Sequence, residues 1–142
     1  MTAIPTQVQD VMSPDPVCVG GEATLRGVAY LMRERDVGDV LIVDHHQVTG
    51  VITDRDLVVR GLAQNLDPDT AQAGAVCSEP VVTVAPDDPV ATAVQLMRDH
   101  AVRRLPVVQD GKPVGVVSLG DLALTQDPRS ALADISAVAP NR

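Results

Sequence analysis

The chain has 142 residues, 45% of them hydrophobic, with Tyr30 as its one aromatic side chain. That length and composition exclude a disordered chain and predict an aliphatic core of Val, Leu, Ile and Ala, so any bound heterocycle must rest on aliphatic side chains and backbone. A formal net charge of −8 and the lack of rings to stack on argue against nucleic acid as a partner, and no apolar run approaches the ~20 residues needed to cross a bilayer, so no membrane partner is expected either.

The opening MTAIPTQVQD has neither a basic stretch nor an apolar one, so it is not read as a signal peptide and the chain is expected to be cytoplasmic. A short lead-in helix is predicted over 7–11 and a β-branched strand over 17–19. A helix follows over 23–35, with Leu25, Val28, Ala29 and Met32 spaced three and four apart. Two strands come next, 40–43 and 48–53, joined by the turn 44–47, and then a second helix over 54–64. Residues 65–72 read as a linker, with a lead-in helix at about 70–76 matching the first one. The order then repeats. A β-branched run at 81–84 precedes a helix over 88–99 carrying Val90, Val94 and Met97, with Asp87, Asp88 and Pro89 as first-turn residues. Strands at 105–108 and 114–118 flank an Asp-Gly hairpin signal, and a helix runs over 119–126. A tail, 127–142, adds a short helix at 130–138.

The second half restates the first. A shift of 65 residues sets SPDPVCVGGEATLRGVAYLMRERD over SEPVVTVAPDDPVATAVQLMRDHA without a gap, and the register continues through Gly50-Val51 over Gly115-Val116 and Asp56-Leu57 over Asp121-Leu122. Two units predict a pseudo-twofold pair, not a solenoid. The fold class is therefore α/β (α+β): two β-α-β-β-α repeats, at 7–64 and 73–126.

The most specific shared phrase is GVITDRD at 50–56 and GVVSLGD at 115–121. Thr53-x-x-Asp56 and Ser118-x-x-Asp121 each fit a capping box at a strand-to-helix junction. The same geometry also suits a ligand: a first-turn carboxylate can accept two hydrogen bonds from a vicinal diol, and a helix N-terminus offers amides to phosphate. Both readings stand on the residues alone. Cys18 and Cys77 sit in no C-x-x-C and read as small, partly buried hydrophobes. His45 and His46 read as exposed turn residues, so no metal site is expected. No nucleophile–base pair, Gly-rich phosphate loop or metal cluster is legible, and the chain is not read as an enzyme.

The duplicated G-h-h-T/S-x-x-D closing a β-α-β-β-α unit, with Arg104-Leu105-Pro106-Val107-Val108 before its second copy, resembles the cystathionine β-synthase (CBS) domain pair, or Bateman module. TDRDLVVRGLAQNLDP at 53–68 is also similar to the small stand-alone bacterial members. The resemblance implies a non-catalytic sensor that needs no cofactor and binds an adenosine-containing ligand (AMP, ADP, ATP or S-adenosylmethionine) in clefts between the repeats. Ribose would then meet Thr53 and Asp56 at one site and Ser118 and Asp121 at the other. Phosphate would meet Arg55, His100, Arg103 and Arg104. The base would lie against Val17, Val19, Val40 and Ile42, and against Val82, Val84, Leu105 and Val107. A homodimer and an unidentified effector protein are the implied partners. The alternative is a structural or protein-interaction pair that binds no nucleotide. Asp39 and Leu41 stand where the second repeat has Arg104 and Pro106, a departure from the family's commoner proline in the first repeat.

Overall fold

The computed structural model describes residues 6–78 and 82–126; the helix expected at 130–138 lies outside them. The described chain is mixed α and β, as expected, and it groups into two compact units, Pro16–Val81 on the one hand and Met1–Asp15 with Val82–Arg142 on the other.

In the first of these units, β2 (Cys18–Val19) runs parallel to β3 (Asp39–Asp44), which pairs antiparallel with β4 (Gln47–Thr53). Helix α1 (Leu25–Arg35) covers one face of this sheet. Its N-cap Thr24 accepts a hydrogen bond from the Gly27 amide at 3.1 Å, supplying one of the partners that a helix start lacks. Leu25, Val28 and Met32 turn inward and meet Val40, Ile42 and Ile52 from the strands, as the 3.6 and 2.0 periodicities require.

The other unit repeats the plan. Antiparallel β5 (Arg104–Gln109) and β6 (Lys112–Ser118) are covered by α4 (Val90–His100), and Val90, Ala93 and Met97 pack on Leu105, Val107 and Val117. The buried middle position is Ala93, where the sequence pattern suggested Val94. Pro89 is the N-cap residue, just outside the helix. The run expected as a strand at 81–84 makes a single parallel bridge, Val84 to Val107.

The expected helix over 54–64 is not regular. It opens as α2 (Asp54–Asp56), widens into a π turn over Leu57–Gly61 and closes as a 3-10 turn over Leu62–Gln64. Val58, Val59 and Gly61 within one turn are weak α-formers. Gly61 also approaches Leu25 so closely that a Cβ there would lie 2.9 Å from its Cδ1. The equivalent α5 (Leu119–Gln126) is an uninterrupted α-helix.

The lead-in segments cross over. Residues 7–14, which precede the first repeat along the chain, pack with the second: Val8 donates to Asp88 O, Gln9 to Pro86 O, and β1 (Ser13–Pro14) pairs with β6. Residues 72–78, which precede the second repeat and include α3 (Ala73–Val76), pack with the first: Ala73 donates to Ala23 O, Gly74 to Gly21 O, and Ser78 to Val51 O. Each of these contacts is the other's image under the 65-residue shift. The stretch expected as a linker, 65–72, is held along α1 by Arg26 N to Pro68 O, Leu25 N to Ala71 O and an Arg26–Asp69 ion pair.

Where the lead-ins land, the twice-written glycines have a physical reason. A Cβ on Gly50 would lie 2.6 Å from Cys77 Sγ, and one on Gly115 would lie 2.6 Å from Met12 Sδ and 2.8 Å from the Ser13 carbonyl oxygen. Both approaches exclude any side chain without rearrangement. Gly50→Ala should therefore destabilise by about 1–3 kcal/mol, and Cys77→Ala in the same chain should recover part of that loss. Denaturant unfolding of the two single variants and the double variant measures the coupling.

The two strand-to-helix junctions as candidate functional site

Both T/S-x-x-D phrases sit where the last strand of a repeat turns into its second helix. The Asp56 amide donates to Thr53 Oγ1 at 3.1 Å, and the Thr53 amide donates to Asp56 Oδ2 at 2.9 Å. In the second repeat the Asp121 amide donates to Ser118 Oγ at 3.1 Å and the Ser118 amide to Asp121 Oδ2 at 2.9 Å. These are two complete capping boxes of matching geometry. The loop ahead of β3 and the loop ahead of β5 each close on a junction as well: Asp54 N donates to Gly38 O at 3.0 Å, and Leu119 N to Arg103 O at 2.8 Å.

Asp56 is the one charged residue among the described ones that is buried, at 8% exposure. Its second oxygen, Oδ1, faces Arg60 Nε at 3.8 Å. Arg60 also donates from Nη1 to Cys77 O at 3.3 Å. The sequence reading did not single out Arg60, although its i,i+4 spacing from Asp56 was a legible signal.

The cations gather unequally. Arg55 is exposed on the first turn of its helix. Arg104 pairs directly across the strands from Ser118, whereas Asp39 holds that place opposite Thr53. The cross-strand partner of the hydroxyl residue is therefore a cation in one repeat and an anion in the other. Arg103 and Arg98 flank a cavity of about 360 Å³ between the end of α4 and the start of α5, floored by Met97, Val102 and Leu122. His100 is exposed at the last position of α4 and is not among the residues lining that cavity.

The residues expected to line a base pocket fall on one side of each sheet. Val40 and Ile42, and Val84, Leu105 and Val107, are buried in the cores beneath the helices, with Val17, Val19 and Val82 packed against those cores. Side chains alternate along a strand, so all eight lie on the helix side of their sheets. The opposite parity belongs to Cys18 and its neighbour Leu41, and to Thr83 and Pro106. A one-residue change of parity exchanges the two faces. Cys18 is exposed, and desolvation raises its thiol pKa, which does not favour a reactive thiolate. Cys77 is buried, packed over Gly50 as described. His45 and His46 both have positive φ at an exposed hairpin turn. Among the described residues no group of three or more His, Cys, Asp or Glu side chains could hold a metal ion, and no helix is long and apolar enough to cross a membrane.

The CBS-domain profile matches residues 8–61 and again 73–125. The chain belongs to the CBS-domain family, as a tandem pair. It is 38% identical over 119 residues to Hypoxic response protein 1 of Mycobacterium tuberculosis, covering 83% of each chain. It is 36% identical to the CBS domain-containing protein YhcV of Bacillus subtilis, covering 92% of this chain and 96% of that one. Among solved structures, Hypoxic Response Protein I with two coordinated zinc ions matches with a TM-score of 0.74, over 83% of this chain and 97% of that one. The CBS pair of protein MJ0100, in complex with 5-methylthioadenosine and S-adenosyl-L-methionine, matches with a TM-score of 0.76 and 25% identity, over 88% of this chain and 98% of that one. CBS pairs are in general regulatory modules, and this chain has the fold of one that binds adenosine compounds.

Because each aspartate closes a capping box, its removal should be felt in stability before any ligand is added. Asp121→Ala should cost about 0.5–2 kcal/mol, with Asp121→Asn costing less, as thermal unfolding of the ligand-free variants will show.

Proposed function

We propose that this CBS pair is a non-catalytic sensor that binds an adenosine-containing ligand, with one ribose-recognition point at each T/S-x-x-D junction. The observation that carries this reading is the duplicated junction itself, in which a first-turn carboxylate, a hydroxyl and a helix start recur in the same frame. The capping bonds use the Oδ2 atoms of the two aspartates, and a carboxylate has acceptor capacity for more than one donor. The MJ0100 pair, bound to 5-methylthioadenosine and S-adenosyl-L-methionine, supports the ligand class. The base is assigned to the sheet faces opposite the helices, which carry Leu41 and Pro106, because the helix-side residues pack against α1 and α4; Leu41 and Pro106 are themselves fully buried, so a base there would lie against side chains already out of water.

The two sites differ in charge. Arg104 beside Ser118 favours a phosphate group, and Asp39 beside Thr53 disfavours one. Isothermal titration should find AMP binding with unequal affinities. Asp56→Ala and Asp121→Ala should each weaken one site about ten- to a hundredfold, and Arg104→Ala should weaken AMP more than adenosine. If adenosine, AMP, ADP, ATP and S-adenosylmethionine all fail to bind at millimolar concentration, the sensor reading falls and a protein-interaction pair replaces it.

The same reading includes a homodimer. Tyr30, Val58 and Leu62 are exposed, Leu62 by 74%; they stand on α1, the π turn and the 3-10 turn of one unit. A second copy would cover this apolar surface. Light scattering at micromolar concentration should give about twice the 14.9 kDa chain mass, and Leu62→Asp should lower it; a wild-type monomer would remove the dimer.

A further inference from the structure

Arg60 has no assigned role, yet it touches both halves of the most constrained region of the unit Pro16–Val81. Its Nε lies 3.8 Å from Oδ1 of Asp56, the oxygen the capping box does not use. Its Nη1 donates to the Cys77 carbonyl at 3.3 Å. Cys77 is the residue whose Sγ packs over Gly50, and the next residue, Ser78, donates to Val51 O at 3.0 Å. This docked end is the last described part of the unit before the chain passes to the other one. Arg60 sits in the π turn Leu57–Gly61, a helical irregularity that recurs at functional sites. The 65-residue shift places Thr125 at the matching position in the second repeat, inside a regular α-helix.

We propose that Arg60 is a positioning residue that couples occupancy of the Asp56 carboxylate to the docking of residues 77–78. A guanidinium is a fixed fork of donors, so one side chain can hold a carboxylate with one arm and a carbonyl with another. A ligand diol donating to Asp56 orders that carboxylate, and with it the guanidinium and the carbonyl it holds. The ligand half of this proposal rests on the nucleotide reading above; the Asp56–Arg60–Cys77 link does not.

Amide hydrogen exchange of the full chain, followed by NMR, separates the two. The reporters are the Ser78 amide, bonded to Val51 O, and the Cys77 amide, bonded to Ala73 O at 3.0 Å; the control is the Met12 amide, bonded to Val8 O at 2.9 Å in the other unit. Without ligand, Arg60→Met should speed exchange at Ser78 and Cys77 by roughly three- to tenfold and leave Met12 unchanged. Arg60→Lys keeps a cation beside Asp56 but has no second arm for the carbonyl, so it should match Arg60→Met at Ser78; wild-type rates in Arg60→Lys would overturn the bridge. Saturating AMP should slow Ser78 exchange in the wild type and not in Arg60→Met, with AMP still bound by both. If AMP binds and slows Ser78 equally in both proteins, the coupling is wrong and the nucleotide reading stands. If AMP binds neither, the nucleotide reading and the ligand half of the coupling fall together, while the ligand-free difference still decides the link.

Discussion

In each unit a strand glycine lies directly under the sulfur of a lead-in residue, with no room for a Cβ between them: Gly50 under Cys77, and Gly115 under Met12. No side chain fits at either position, and none is needed, because the incoming segment fills the space. That contact lets residues 77–78 lie along β4 and residues 12–14 along β6, with Ser78 bonding Val51 and β1 completing a three-stranded sheet. The buried residues Val8 on one lead-in and Ala73, Val76 and Cys77 on the other complete the cores beneath α4 and α1. A repeat of about 55 residues is small for a hydrophobic core, and the borrowed lead-in supplies part of what it lacks.

The same arrangement fixes the candidate site. Once β4 and β6 are held on both sides, each must turn into its helix at Thr53 or Ser118, and the capping box satisfies the amides exposed there. The carboxylate that ends the strand and starts the helix recurs in both repeats, and under the proposed function the same group would also meet a diol. A substitution at Asp56 or Asp121 perturbs both, and only measurements on ligand-free and ligand-bound protein can apportion the effect.

The two junctions share a backbone but not an environment. Arg104 faces one hydroxyl residue and Asp39 the other across equivalent strand positions. One second helix is regular, while the other widens into a π turn that carries Arg60 to Asp56 and Cys77. Duplication supplied two equal frames, and a few charged residues and one helical irregularity made them unequal.

The sequence by itself determined the repeat, its length and the order of its elements, because hydrophobic periodicity and turn chemistry are local and were written twice. It also determined the T/S-x-x-D junctions, whose capping geometry depends on four consecutive residues. Local signals could not reveal the exchange of lead-ins, since the partners of residues 7–14 lie more than 70 positions away, and the glycines read as ordinary strand residues until Cys77 and Met12 were placed above them. The face of each strand was open to the same ambiguity. Val40 and Ile42 were expected to line a base pocket, and only the docking of α1 on their side of the sheet placed them in the core with Leu25, Val28 and Met32. The π turn and the reach of Arg60 were likewise decided by tertiary contact, where Gly61 closes on Leu25 and the carbonyl of Cys77 comes within a hydrogen bond of the guanidinium.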